Sequence, residues 1–272
     1  MKRRPVTPPG ALHARDEGSG APILLVHGAG GDHTIWNGVL PVLAREFRVI
    51  APDLRGHGRS PAPPESAFSL EEMREDLLAL LDGKGVGSVH WVGLSVGAQI
   101  GLREALDAPA RVKSLTMLAG SGFTDARTRA VAARWAATLA EEGPDAYALR
   151  LLKDLYYPDW IEAHLEVADR LREDVAKRDL SPSLRLAEAA ATFDERPRVA
   201  ALLPPLLLVQ GIADGVVDAA HGRLLRQSVP GAQLRLLPDT GHMIPVERPV
   251  ETAETIAAFV RAVESRDPRP AG

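Results

Sequence analysis

The sequence predicts an α/β fold: a mostly parallel central sheet with helices on both faces and a helical cap inserted into it. Three observations carry this. Short apolar runs end repeatedly in Gly-rich or polar turns and lead into helical patterns. Those runs are almost continuously apolar, as strands buried on both faces are. One long stretch, rich in Ala, Arg and Glu, then breaks the rhythm with helical pattern only.

Taken in order, Ile23 to Val26 stops at His27-Gly28-Ala29-Gly30-Gly31-Asp32, and Arg48 to Ala51 stops at PDLRGHGRS. Each is a strand, a loop and a helix. Val89 to Val92 stops at Gly93-Leu94-Ser95-Val96-Gly97 and continues as the helical AQIGLREALD. Leu115 to Leu118 and Leu206 to Val209 read as two further buried strands, and Leu234 to Leu237 as a last short one. Alternation of this kind gives a parallel sheet covered on both faces. Catalytic groups then belong on loops at the carboxyl ends of the strands.

The interruption spans residues 123–203, with the core expected in 1–122 and 204–272. Its helices are bounded by Gly143-Pro144, Tyr157-Pro158, Ser181-Pro182 and Arg196-Pro197, because a proline disfavours helix in the residue before it. Trp135, Tyr147, Tyr156, Tyr157 and Trp160 concentrate much of the chain's scarce aromatic content here. They are candidates to line an apolar substrate pocket, or else simply to pack the cap helices together.

Composition narrows the function classes. The 272 residues suffice for a sizeable core. Hydrophobic residues at 45% and charged residues at 25% are ordinary globular usage. A net charge of -4 supplies no basic field for a phosphate backbone, so nucleic acid is not expected as a partner. The absence of cysteine removes disulfides, thiolate metal sites and a Cys nucleophile. The start, MKRRPVTPPG, is basic but runs into prolines, and no stretch is long enough to span a bilayer. The expectation is a cytoplasmic protein without a membrane partner, either a monomer or a homodimer.

The chemistry begins at Ser95. Gly-X-Ser-X-Gly between a strand and a helix lets the chain turn sharply with the hydroxyl at the apex. A serine hydroxyl needs a base within reach, and histidine titrates in the useful range. Of eight histidines, His242 stands best, after the apolar run LRLL and a Gly turn at the catalytic edge. His13 precedes the main strands, His90 is inside one, His164 is in the cap, and His221 reads as helical and exposed. His27, His33 and His57 lie on loops at the right edge but precede the nucleophile. For His27 a hydrogen-bonding role that shapes its Gly loop is favoured.

The imidazole in turn needs an acceptor on its other nitrogen. Asp214, at the carboxyl end of the Leu206 strand, is the first candidate, Asp218 the second and Asp125 the third. One oxyanion donor is expected from the backbone N–H of Val96, the other from the Gly-rich loop, at the N–H of Ala29. That loop lacks the third glycine of a dinucleotide fingerprint and any Walker lysine. No cofactor is required, and no cluster with metal-ligand spacing suggests a metal.

HGAGG, PDLRGHGRS, GLSVG, GIAD and TGHMIPVERP, in this order and at about this spacing, resemble the α/β-hydrolase superfamily from Gly18 to about Glu264. The resemblance implies a sheet of about eight strands, a Ser95-His242-Asp214 triad, oxyanion donors at Ala29 and Val96, and a cap inserted after the sixth strand. Serine at the elbow sets the chain apart from dehalogenases and epoxide hydrolases of this fold, which carry aspartate there. It looks more like small carboxylesterases and enol-lactonases, although Ala98 stands where many enol-lactonases have a second glycine. The expected activity is hydrolysis of a small-molecule carboxylic ester or lactone through an acyl-enzyme on Ser95. The alternatives are a ligand-sensing protein with slow turnover, or a cofactor-independent lyase or oxygenase using the His–Asp pair alone.

Overall fold

The computed structural model describes residues 12–61 and 68–266. The basic start of the chain, its last residues and the Pro-rich segment 62–67 lie outside them.

Seven strands form one sheet: β1 (Ala14–Glu17), β2 (Pro22–Val26), β3 (Arg48–Pro52), β4 (Val89–Leu94), β5 (Val112–Leu118), β6 (Leu206–Gly211) and β7 (Gln233–Leu237). Their spatial order is β1-β3-β2-β4-β5-β6-β7. All pairings are parallel except β1 with β3, where Ala14 faces Pro52 and Glu17 faces Val49. The count among the described residues is thus seven where about eight were expected, and β1 is a strand that the apolar runs did not announce. Its sequence, ARDE, carries the charges of an exposed edge, which leaves no apolar run to read.

The interior strands are buried on both faces, and their side chains alternate between two cores. Leu24, Val26, Ile50 and Leu208 point into one core. There they meet α2 (Leu70–Gly83), α3 (Val96–Asp107) and α9 (Ala220–Ser228) through Leu77, Ile100 and Leu225. Ile23, Leu25, Val49 and Val209 point into the other. That core is closed by α1 (Leu40–Leu43), α10 (Ile244–Glu247) and α11 (Pro249–Glu264) through Leu40, Ile244 and Ile256. The local sequence supports these helices: α2 opens with a reciprocal capping box between Ser69 and Glu72.

Five helices separate β5 from β6: α4 (Ala126–Glu142), α5 (Pro144–Leu155), α6 (Pro158–Ala163), α7 (Leu165–Lys177) and α8 (Ser181–Ala190). Four of the five have proline at N1 or N2 or follow a proline-bounded break, or are capped by an aspartate, as Asp125 caps α4. The insertion follows β5, the fifth strand in chain order among the described residues, where the resemblance counts the preceding strand as the sixth of about eight. The chain builds β2 and β3 on one side and then crosses to place β4 on the other side of β2. The crevice at the carboxyl ends of β2 and β4 is therefore the topological switch point, where sheets of this kind hold their ligands.

Candidate active site

Ser95 occupies that switch point, between the end of β4 and the start of α3. Its backbone, at φ 54 and ψ -116, lies in a region that costs a non-glycine residue about 1–3 kcal/mol. The flanking glycines make the turn possible. A Cβ on Gly93 would stand 2.3 Å from the Gly97 carbonyl, and one on Gly97 would stand 2.4 Å from the carbonyl oxygen of Val26. The turn is tied down by the Ser95 N–H, which donates to the Leu118 carbonyl at 2.9 Å. Val96 opens α3, so its N–H belongs to the first turn, which has no acceptor within the helix. The loop after β2 lies directly against the serine: a Cβ on Gly28 would be 3.1 Å from the Cβ of Ser95 and 3.7 Å from its Oγ.

His242 and Asp214 meet across the ends of β6 and β7. The Nδ1 of His242 is 2.8 Å from Oδ2 of Asp214, and both side chains are buried. The other oxygen, Oδ1, accepts from the amides of Val216 at 2.7 Å and Val217 at 2.9 Å. Asp214 thus serves at once as turn cap and as histidine partner. Asp218 is occupied elsewhere, accepting from Ala220 N–H and pairing with Arg127 at the surface. Asp125 caps α4 and bonds His221.

The turn carrying His242 is clamped to the insertion. The amides of His242 and Met243 donate to the Leu155 carbonyl at 2.7 and 3.1 Å. The buried carboxylate of Glu247 accepts from the amides of Gly241 and Tyr157, both at 3.0 Å. Burial pushes Glu247 above the usual carboxylate range, against the pull of those amides. Nothing local in the sequence IPVE marks this glutamate as a clamp, because its partners Gly241 and Tyr157 lie in other segments.

Between core and insertion lies a cavity of about 380 Å³. Ser95, His242, Ala29 and Val96 all line it, so the residues proposed to react and to hold the oxyanion share one space. Of the five aromatic candidates, Trp135, Tyr147 and Tyr156 line it as well. Burial raises the Tyr147 and Tyr156 hydroxyls to about 12, so both remain protonated donors. Tyr157 and Trp160 are not among the lining residues. The Trp160 ring is stacked between Tyr156 and His164, and Tyr157 starts α6 with its amide on Glu247.

Charge enters at one rim. Asp32 accepts from Thr34 N–H at 2.9 Å and from Arg178, at the end of α7, at 3.0 Å. Burial works against its charge, but the Thr34 and Arg178 contacts outweigh it and hold the carboxyl below its ordinary range.

The remaining histidines have structural partners. His27 Nε2 accepts from Leu54 N–H at 2.9 Å, so Nδ1 carries the proton and donates to the Gly28 carbonyl at 2.7 Å. Complete burial, aided by repulsion from His57, lowers its pKa to about 4, and the ring stays neutral while it shapes the glycine loop. His221 is helical but buried, not exposed, because its ring packs on Phe123 and bonds Asp125 at 3.1 Å. Among the described residues one group, His13, His33 and Asp53, has ligand atoms near enough to hold a metal ion. The Asp53 oxygens already accept from the amides of His33 and Arg59, and neither Asp53 nor the two histidines line the cavity.

The alpha/beta hydrolase fold family matches residues 21–249. The chain belongs to that family. Among its relatives is a protein of Stutzerimonas stutzeri named "Putative carbamate hydrolase RutD", 33% identical over 237 residues, which span 85% of this chain and 88% of the relative. A thermophilic esterase from Thermogutta terrifontis superposes with a TM-score of 0.83 at 29% identity, covering 93% of both chains. The enol-lactonase from Burkholderia xenovorans LB400 superposes with a TM-score of 0.84 at 27% identity, covering 92% of this chain and 96% of that one. The α/β hydrolase described here is a hydrolase of that fold, with a seven-stranded, mostly parallel sheet and helices on both sides. No helix among its described residues is long and apolar enough to cross a membrane.

Proposed function

We propose that this hydrolase cleaves a carboxylic ester or lactone through an acyl-enzyme on Ser95. The observation that carries the reading is the strained serine and the Asp214-bound His242 lining a single cavity. With Nδ1 engaged by Asp214, the imidazole keeps Nε2 for the serine hydroxyl.

In the reaction, Ser95 Oγ attacks the carbonyl carbon and His242 Nε2 takes the hydroxyl proton. The amides of Ala29 and Val96 donate to the oxyanion as it forms. Collapse of the tetrahedral intermediate expels the alcohol, which leaves with the proton from His242, and the acyl group stays on Ser95. Water then repeats the sequence, giving up a proton to His242 and releasing the acid. In a lactone the alcohol and acyl parts are one molecule, so the first step opens the ring. The esterase and the enol-lactonase among its structural neighbours support ester and lactone carbonyls. The name of the Stutzerimonas relative argues for including a carbamate among the substrates tried.

The test is a panel of p-nitrophenyl esters of increasing acyl length, with one p-nitrophenyl carbamate, run on the wild type and Ser95→Ala. Expected are multiple turnover by the wild type, a fall in kcat of about 10⁴-fold or more in the variant, and a phosphonate adduct on Ser95 by intact mass and peptide mapping. Ester cleavage that survives Ser95→Ala would overturn the reading and favour a lyase or oxygenase that uses the His–Asp pair alone. Negligible turnover with tight ligand binding would favour a sensor.

A further inference from the structure

Two glycines, one on each catalytic turn, meet the same piece of the insertion. A Cβ on Gly215, in the turn after Asp214, would stand 2.5 Å from the Asp154 carbonyl oxygen, and one on Gly241, next to His242, would stand 2.7 Å from that of Leu155. The last turn of α5 therefore backs both the acid turn and the histidine turn. At the histidine, contact becomes bonding: the Leu155 carbonyl accepts from the amides of His242 and Met243 at 2.7 and 3.1 Å. Leu155 and Tyr156 also line the cavity, so one short segment forms a pocket wall and the seat of the base.

Glu247, on α10, closes this arrangement from the other side. Its carboxylate is buried, and the Gly241 N–H donates to both oxygens, at 3.1 Å to Oε1 and 3.0 Å to Oε2. Oε2 also accepts from the Tyr157 N–H at 3.0 Å. Both oxygens act as acceptors, as those of an ionised carboxylate do. One group thus holds the residue before His242 and the residue after the cavity-lining Tyr156. Charge-assisted bonds of this kind are about twice as strong as neutral ones. The imidazole is fixed at Nδ1 by Asp214, while the backbone that carries it is fixed by Leu155 and Glu247.

We propose that Glu247 is a positioning residue for the general base: it locks the His242 turn onto the end of α5, so that the imidazole is aligned with Ser95 only while core and insertion are joined there. The inference rests on the assignment of Ser95 and His242 as nucleophile and base. Glu247 itself is not among the residues lining the cavity, and it takes no part in proton transfer. Its effect is geometric, because a displacement of about 1 Å in a catalytic group can cost about 100-fold in rate. The insertion then does more than cover the pocket, since it supplies one side of the mould in which the base is set.

The experiment measures kcat and KM for p-nitrophenyl acetate per reactive site. Sites are counted by complete titration with a p-nitrophenyl phosphonate, so a loss of folded protein lowers the count and not kcat. Glu247→Gln keeps size and shape, but the Gly241 N–H donates to both oxygens, so either orientation of the glutamine brings its NH₂ against that donor. Expected is a kcat about tenfold or more below wild type, with KM within about threefold. Tyr157→Pro removes the other donor without bending the chain, since Tyr157 already has φ -69 and Tyr156, before it, is extended at φ -117 and ψ 154. Its kcat should fall about threefold or more below that of Tyr157→Ala, which loses the same ring and keeps the N–H. A kcat per site in Glu247→Gln within about twofold of wild type, a loss carried by KM alone, or equal kcat in Tyr157→Pro and Tyr157→Ala would overturn the inference while Ser95 and His242 keep their roles. A wild type without turnover and without a phosphonate adduct on Ser95 would overturn that assignment and the inference with it.

Discussion

Asp214 gives His242 one carboxylate oxygen, 2.8 Å from Nδ1, while its other oxygen is held by the amides of Val216 and Val217. The histidine is therefore oriented by a group that is itself fixed on two sides. Asn at 214 would keep its carbonyl on those amides and turn its NH₂ towards Nδ1, forcing the proton of the neutral ring onto Nε2. A ring in that tautomer cannot accept from serine. Asp214→Asn should lower kcat by about 10³- to 10⁴-fold with little change in KM. Asp218→Asn, which removes only a surface pair with Arg127, should stay within about threefold. Steady-state kinetics on one p-nitrophenyl ester decides between the two aspartates, and equal losses would reopen the choice.

Much of the fold is legible in the sequence because buried parallel strands are almost uniformly apolar. β2 to β6 and the elbow were visible in that way, and the Pro-bounded breaks marked the ends of helices in the insertion. What could not be read was whatever depends on contacts across distance. β1 carries an edge strand's charges. Glu247 acts on Gly241 and Tyr157, and Asp32 pairs with Arg178 from another layer of the molecule. His221 looks polar and surface-bound along its helix, yet the turn at Phe123 and Asp125 buries it.

The elbow glycines make a contrast between two alanine substitutions. In Gly97→Ala the new Cβ would lie 2.4 Å from the Val26 carbonyl oxygen and 2.7 Å from that of His27, both backbone atoms of β2 and its loop. Relief requires moving a central strand or the serine turn. The variant should lose several degrees of melting temperature and most of its esterase activity. Gly83, exposed at the end of α2, has nothing within 4 Å of its Cβ position, and Gly83→Ala should gain about 0.5–1 kcal/mol. Thermal melting of the two variants beside the wild type checks both signs.

The Asp32–Arg178 pair joins the rim of the glycine loop to the last turn of α7. The arginine is nearly half exposed, so the pair contributes no more than about 1 kcal/mol and is screened by salt. Arg178→Ala should therefore act on substrate binding, raising KM about two- to fivefold with kcat nearly unchanged. Added sodium chloride should raise the wild-type KM in the same direction and have a smaller effect on the variant. A salt response of equal size in both proteins would place its origin elsewhere.

The buried histidines make stability fall as pH falls. His27 has a pKa of about 4 in the folded protein, against 6.5 for the free side chain, because burial disfavours its charged form. Between those values the unfolded chain binds a proton that the folded chain refuses, so stability falls as pH falls. The contribution is whole above pH 6.5, declines through the interval, and is lost once pH reaches the folded value near 4. The interval corresponds to about 3 kcal/mol for this one fully buried ring. His57 and His90 are lowered by burial as well and add with the same sign. Urea unfolding midpoints measured at pH 7.5, 5.5 and 4.5 should decrease in that order, and His27→Gln, whatever its own stability, should show a shallower slope. A midpoint that stays level across the range would mean that the His27 ring can charge in place, and that its bond from the Leu54 N–H is not what holds the glycine loop.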